Sequence, residues 1–225
     1  DCVSSAGAET IDMEKDNIAF CSSSGSKAIG SYSGLSFVIG ETVEFEKIKH
    51  LPIKTSYLNL YKFYQFSKNK LQTPNTPAIP LFFALDQALE NILIEGVANR
   101  HSKIRRKAKL LRQGMMKLGL KFLLDQKEMS SVLTNVFIPK NINFKNFRQR
   151  LRDEMIIIYE GKGCFKDRIF QVGNIGELSN SDIRYFLSAQ KKALLYHDRL
   201  QPVQEISMID KIKYLPLYKT EVSLA

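Results

Sequence analysis

Lys27 stands alone among small, uncharged residues in the run from Cys21 to Gly40, and Asp1 lies about one strand-helix-strand spacing upstream. Lysine loses its proton readily when taken out of water, so an amine set among Ser, Gly and Ala suits Schiff-base formation with a carbonyl and later proton transfer. A carboxylate at a neighbouring strand end would hold the far side of a flat aromatic aldehyde. The setting expected for Lys27 is therefore buried, with a low dielectric. Read singly, each piece is ordinary: a loop lysine, a first-residue Asp, a helix-capping turn over 72–76 and a strand-ending turn over 173–176. The chemistry comes from their order and separation.

The elements that must position these groups follow from periodicity. Asn17 to Cys21 and Gly34 to Gly40 are short apolar runs bounded by Gly and Ser, as in buried strands of an α/β sheet. A polar, aromatic-rich connection follows, with Tyr57, Tyr61, Phe63, Tyr64 and Phe66, and ends at Pro74 and Pro77. Thr76 as N-cap, Pro77 in the first turn and Gly96 as stop predict a helix over 77–96. A basic amphipathic helix is expected over 97–118, its apolar stripe formed by Ile104, Ala108, Leu111, Met115 and Leu118 and its cations solvated. Beyond it come strands at 132–138, 155–159 and 169–172 and helices at 144–154 and 181–197. The predicted division is 1–96, a connecting helix 97–118, a small α+β domain 119–198 and a tail 199–225.

The bulk composition bounds the class. With 225 residues, 44% hydrophobic and 25% charged, the chain is an ordinary globular protein able to bury a sizeable core. No apolar run approaches the roughly 20 residues of a membrane helix, and no membrane partner is expected. The net charge of +10 raises the question of nucleic acid, but the densest cations, Arg100 to Arg112, interleave with a helical apolar stripe and no nucleic-acid-binding motif accompanies them. No nucleic-acid partner is expected. Cys2, Cys21 and Cys164 are odd in number and lack paired spacing, which fits a reducing cytoplasmic compartment. His50, His101 and His197 are scattered, so no metal site is expected. The chain lacks an initiator Met and begins at an apparent strand-to-loop transition, so it is read as part of a longer protein.

Six short motifs fall in one order: Asp-x-x-Ser-Ser at Asp1 to Ser5, Ser-Ser-x-x-Lys at Ser23 to Lys27, the glycine-punctuated strand to Val38, Thr-Pro-Asn-Thr at Thr73 to Thr76, Gly-Val-x-x-Arg-His at Gly96 to His101, and Gly-Asn-Ile-Gly-Glu at Gly173 to Glu177. In that order they resemble the C-terminal portion of class V, fold type I, pyridoxal-phosphate aminotransferases, nearest to the 2-aminoethylphosphonate–pyruvate transaminases, over roughly residues 1 to 195. The resemblance implies an α/β fold: part of a large cofactor-binding domain with a mostly parallel sheet, then the small α+β domain. It implies pyridoxal 5'-phosphate as cofactor, a small amino donor and a 2-oxo acid as substrates, and a homodimer with shared sites.

Carried over by position, Lys27 is the Schiff-base lysine and proton carrier, and Asp1 the partner of the pyridine nitrogen. Val3 packs under the ring and Ser24 contributes to the phosphate cup. Thr76 reaches the cofactor phosphate of the neighbouring subunit. The family usually places an arginine where Gln171 stands, to clamp the substrate carboxylate; Arg168 would substitute only through a strand bulge. The family's phosphate loop and ring-stacking aromatic have no counterpart here. The readings of function are a transaminase acting on 2-aminoethylphosphonate or a similar amine with pyruvate, an alanine– or serine–glyoxylate transaminase, and a non-catalytic dimerisation module. A cysteine desulfurase is disfavoured, because neither Cys2 nor Cys164 lies in a recognisable nucleophile loop.

Overall fold

A computed structural model describes residues 1–195. The predicted tail 199–225 and the His197 end of the last helix lie outside the described residues.

Strands β1 (Phe20–Ser24) and β2 (Ser36–Gly40) pair antiparallel, with Phe20 opposite Gly40 and Ser24 opposite Ser36. This corrects the expectation of a mostly parallel sheet: every strand pair among the described residues is antiparallel. A parallel pair needs a crossover of a dozen or more residues, usually with a helix, and the segment between Ser24 and Ser36 holds no helix. β1 also starts later than its apolar run, because Asn17 adopts a left-handed φ of 53° and Ile18 donates back to the Met13 carbonyl. β2 is not buried as expected, since Val38 and Ile39 remain exposed.

The aromatic connection is largely helical. α1 (Thr42–Lys47) and α2 (Leu60–Lys70) pack together, and Phe45 stacks on Tyr64 with ring centroids 4.7 Å apart. The Asn59 side chain caps α2 by accepting from the Lys62 amide at 2.9 Å. α3 (Ile79–Glu95) begins after Ala78, which makes no side-chain cap, so Thr76 is not the predicted N-cap. Gly96, with φ 82°, ends α3 and lets α4 (Val97–Lys117) leave in a new direction.

α4 matches the predicted basic helix, but its cations are not all solvated. Arg112 is buried, donating to the Thr134 hydroxyl at 3.0 Å and to the Leu133 and Ser130 carbonyls. Burial pulls its pKa down and the charge of Glu9 opposes that shift.

The largest core lies in the second half of the described chain. A three-stranded antiparallel sheet, β3 (Leu133–Phe137), β4 (Tyr159–Glu160) and β5 (Ile169–Gly173), runs in the order β3-β5-β4. α4, α5 (Phe144–Asp153) and α6 (Asn180–Leu195) close it with Met115, Val136, Phe147, Leu151 and Phe170 fully buried. Each such side chain stabilises the fold by about 1.5–3 kcal/mol relative to exposure. The predicted strand over 155–159 shortens to Tyr159–Glu160, because Met155 turns left-handed (φ 59°) to end α5 and Ile156 donates to the Leu151 carbonyl. Two smaller clusters, Ala8–Ala28–Val132 and Ile29–Ala88–Ile92, seat the N-terminal segment and the Lys27 loop. No helix among the described residues is long and apolar enough to cross a membrane.

Candidate active site

Lys27 projects from a tight loop that follows β1. The Ser31 amide donates to the Gly25 carbonyl at 2.8 Å, and the Gly30 amide to the Lys27 carbonyl at 2.9 Å. Gly25 is buried so closely against Ser31 that a Cβ on it would lie 2.8 Å from Ser31 Cβ. Ala28 and Ile29 turn into the interior and pin the loop from below. Lys27 itself is exposed, which corrects the buried setting expected for it; its two interior neighbours occupy the apolar space. Its Nζ donates to Ser4 Oγ at 2.8 Å.

The N-terminal segment reaches the same place. The Cys2 amide donates to the Ser22 carbonyl at 2.7 Å, which lays Asp1 and Cys2 beside β1, and two turns then bring Ser4 under the Lys27 amine. Asp1 is exposed and accepts from the Val3 amide at 2.8 Å, and its other carboxylate oxygen takes no hydrogen bond among the described residues. Val3 is half-buried, and Ser24 Oγ lies 3.1 Å from Ser26 Oγ. The segment of Asp1 and Val3 thus runs beside β1, which ends at Ser24, and meets the Lys27 loop through Ser4. Ser4 and Ser26 join them without having been singled out. Beneath the cluster the Cys2 and Cys21 sulfurs lie 3.4 Å apart, and the hydrogen bond to Cys2, with burial, pushes the Cys21 thiol up.

Thr76 and Gln171 stand elsewhere. Thr76 is exposed in the turn closed by Thr73 Oγ1 on the Asn75 carbonyl at 2.7 Å. Gln171, on β5, donates from Nε2 to Asn135 Oδ1 at 2.9 Å and lies in register with Asn135 and Tyr159. No hydrogen bond among the described residues joins either one to the Lys27 cluster. Pairing runs unbroken from Leu133↔Gly173 to Phe137↔Ile169, so strand alternation puts Arg168 on the face opposite Gln171. Without a bulge, Arg168 does not take the missing arginine's place.

One charged group near the cluster was overlooked as a functional candidate. Arg100, in the first turns of α4, donates to the carbonyls of Gly7 (3.1 Å) and Ala28 and pairs with Glu95 at 2.7 Å. Lys103 bridges Glu95 (3.2 Å) and Glu177 (3.0 Å). Burial pushes the Glu95 carboxyl up, but hydrogen bonds from Arg100 and Lys103 outweigh it and hold the group below its ordinary value. Lys103 is raised, chiefly by its bonds to Glu177 and Glu95. Arg100 and Glu177 did stand inside recognised motifs, yet nothing in their spacing revealed that they share a network.

Residues 1–177 match the family described as aminotransferase class V. The chain belongs to that family. An uncharacterized aminotransferase of Methanocaldococcus jannaschii is 29% identical over 196 residues, covering 86% of this chain and 51% of that protein. The 2-aminoethylphosphonate–pyruvate transaminase of Klebsiella pneumoniae is 32% identical over 200 residues, covering 87% of this chain and 54% of that enzyme. Among solved structures, an alanine–glyoxylate aminotransferase of Nostoc sp. superimposes with TM-score 0.78 at 23% identity, over 86% of this chain and 52% of that one. The pyridoxamine–pyruvate aminotransferase of Mesorhizobium loti does so with TM-score 0.78, also at 23% identity, over 86% and 50%. At such identities the likeness shows the fold. The chain spans about half the length of the relatives it matches.

Class V aminotransferases use pyridoxal phosphate, and the donor set at the end of β1 fits it. An exposed amine held by a serine hydroxyl can meet a carbonyl, a carboxylate suits a pyridinium, and serine hydroxyls suit a phosphate.

Proposed function

We propose that this chain carries the lysine-bearing half of a pyridoxal-phosphate-dependent transaminase. The full-length protein would move an amino group from 2-aminoethylphosphonate, or a similar small amine, to pyruvate. The observation that supports this is the contact of Lys27 with Ser4, which joins the Asp1 segment to the loop after β1, inside a segment that belongs to the class V family. The phosphonate reading rests on sequence likeness near 32% to the named transaminases; the alanine–glyoxylate likeness, at 23%, is one of fold.

Lys27 would hold the cofactor and carry a proton between the amine-bearing carbon of the substrate and the cofactor. Asp1 would accept a hydrogen bond from the pyridine nitrogen, Val3 would support the ring, and Ser24 would donate to the phosphate. The bound cofactor supplies an electron sink for the carbanion that proton removal creates. Thr76 would serve a neighbouring subunit's phosphate. A homodimer is supported by the exposed apolar residues Phe83, Leu93 and Ile94 on α3, close in sequence to Thr76. Gln171 would meet the substrate through its amide, by hydrogen bonding without a charge. The divisions 1–96, 97–118 and 119–198 are supported by the large core between Leu111 and Ala193, although the cluster of Ala8, Ala28 and Val132 joins the first division to the last. The free thiols Cys2, Cys21 and Cys164 support a cytoplasmic setting.

In the full-length protein loaded with cofactor, an absorbance band near the visible edge should be fixed by borohydride as an adduct on Lys27. A Lys27→Ala protein that keeps the band sinks the assignment. Turnover with 2-aminoethylphosphonate and pyruvate, compared with alanine or serine and glyoxylate, separates the two substrate readings.

A further inference from the structure

We infer that Arg100 is a positioning residue whose guanidinium fork sets the backbone on both sides of the Lys27–Ser4 pair. Its side chain is only 12% exposed, which for a cation demands full use of its donors. Nε donates to the Gly7 carbonyl, Nη2 to the Ala28 carbonyl and Nη1 to Glu95 Oε2. The first carbonyl belongs to the segment that carries Ser4, and the second to the residue that follows Lys27. One rigid, planar group thus spans the two strands of chain whose side chains meet at 2.8 Å, between Lys27 Nζ and Ser4 Oγ.

The fork is itself held. Glu95 closes α3 one residue before Gly96, whose positive φ turns the chain into α4, so Glu95 and Arg100 face each other across the bend. Lys103 adds a second cation to Glu95 and ties it to Glu177, in the turn after the strand that carries Gln171. The network therefore connects the Lys27 loop with the Gln171 end of the sheet. A lysine at position 100 could match one carbonyl or Glu95, but a point charge cannot hold two carbonyls and a carboxylate in fixed register.

This rests on reading Lys27 as the cofactor lysine, and the test separates the two claims. Arg100→Ala and Arg100→Lys are compared with Glu177→Gln, which leaves the carbonyl contacts in place, all in the full-length protein. The first readout is amide hydrogen exchange without cofactor. The loop amides of Gly30 and Ser31 should exchange about tenfold faster in both Arg100 variants, because the hydrogen bonds fixing their frame are lost. Glu177→Gln should stay within about twofold, and the β3–β5 ladder should remain protected throughout.

The second readout is the pH midpoint of the visible band in the loaded protein. It should move in both Arg100 variants, with kcat falling more than KM rises. If Arg100→Ala loses the β3–β5 protection, Arg100→Lys becomes the deciding variant. Unchanged loop exchange in an intact Arg100 variant overturns the inference, as does restoration of both readouts by Arg100→Lys. A Lys27→Ala protein that retains the band removes the function of Lys27 and leaves the exchange result to judge Arg100's hold on the loop.

Discussion

Gly25→Ala tests whether the Lys27 loop depends on the close approach of its two ends. The added Cβ would lie 2.8 Å from Ser31 Cβ, 3.2 Å from Leu85 Cδ1 and 3.4 Å from Ser31 Oγ. Leu85 can yield by a small rotation of its methyl end. Ser31 cannot, because its amide is tied to the Gly25 carbonyl at 2.8 Å. Ordinary contact begins at 3.4 Å, so the two chain segments must part or the loop must rotate. Overpacking of this kind costs about 1–3 kcal/mol. In a chain of this size that lowers Tm by roughly 2–12 °C.

Ser31→Gly removes both the offending Cβ and the hydroxyl, and alone costs about 0.5–1 kcal/mol through the freer unfolded chain. The double variant should recover most of the loss. The coupling should then be at least ~1 kcal/mol, against the ~0.3–0.5 kcal/mol scatter expected of independent sites. Thermal and urea unfolding of the full-length protein would measure all four corners of the cycle. Additive losses, or a Gly25→Ala protein with unchanged Tm, would refute the packing argument for the loop.

Two further outcomes follow from the charges and thiols. Because Glu95 releases its proton more readily folded than unfolded, its contribution to stability is complete above its ordinary value of 4.5 and disappears as pH falls through the lowered folded value. Glu95→Gln should therefore lower Tm near neutral pH and flatten the acid limb of a Tm-against-pH curve; a variant with the parent's acid limb would contradict the pairing with Arg100 and Lys103. Cys21 is buried with its thiol pushed up, whereas Cys164 is exposed, so iodoacetamide should label Cys164 first and Cys21 only on unfolding. Peptide mass spectrometry of a labelling time course reads this directly, and early Cys21 labelling would contradict the seating of β1.

Much of the framework was legible because it is local. Helices α4 and α5, the start of α6, and strands β3 and β5 announce themselves by apolar period and by Gly, Asn and Pro at their ends, and they form within a residue or two of the expected bounds. α2 escaped notice because its sequence, LYKFYQFSKNK, reads as polar and aromatic; the Asn59 cap and the three-residue spacing of Tyr61 and Tyr64 were the available signals. Thr76 looked like a cap on residue type alone, but Pro77 and Ala78 intervene and the helix starts at Ile79. The solvated face assigned to α4 failed at Arg100 and Arg112, whose partners include backbone carbonyls, groups that every sequence contains and none displays.

Residue type and order alone determined the family and supplied the set proposed for the cofactor: a lone lysine, an upstream aspartate and serines at fixed short spacings. These are local properties, readable without coordinates. The tertiary structure alone decided that Lys27 is exposed and paired with Ser4, that the strands around it run antiparallel, and that Arg100 reaches back 72 residues to the Ala28 carbonyl and 93 to that of Gly7. The physical reason is distance along the chain. Which groups meet across such separations depends on where α4 packs, and that is settled by the whole core rather than by any segment of it.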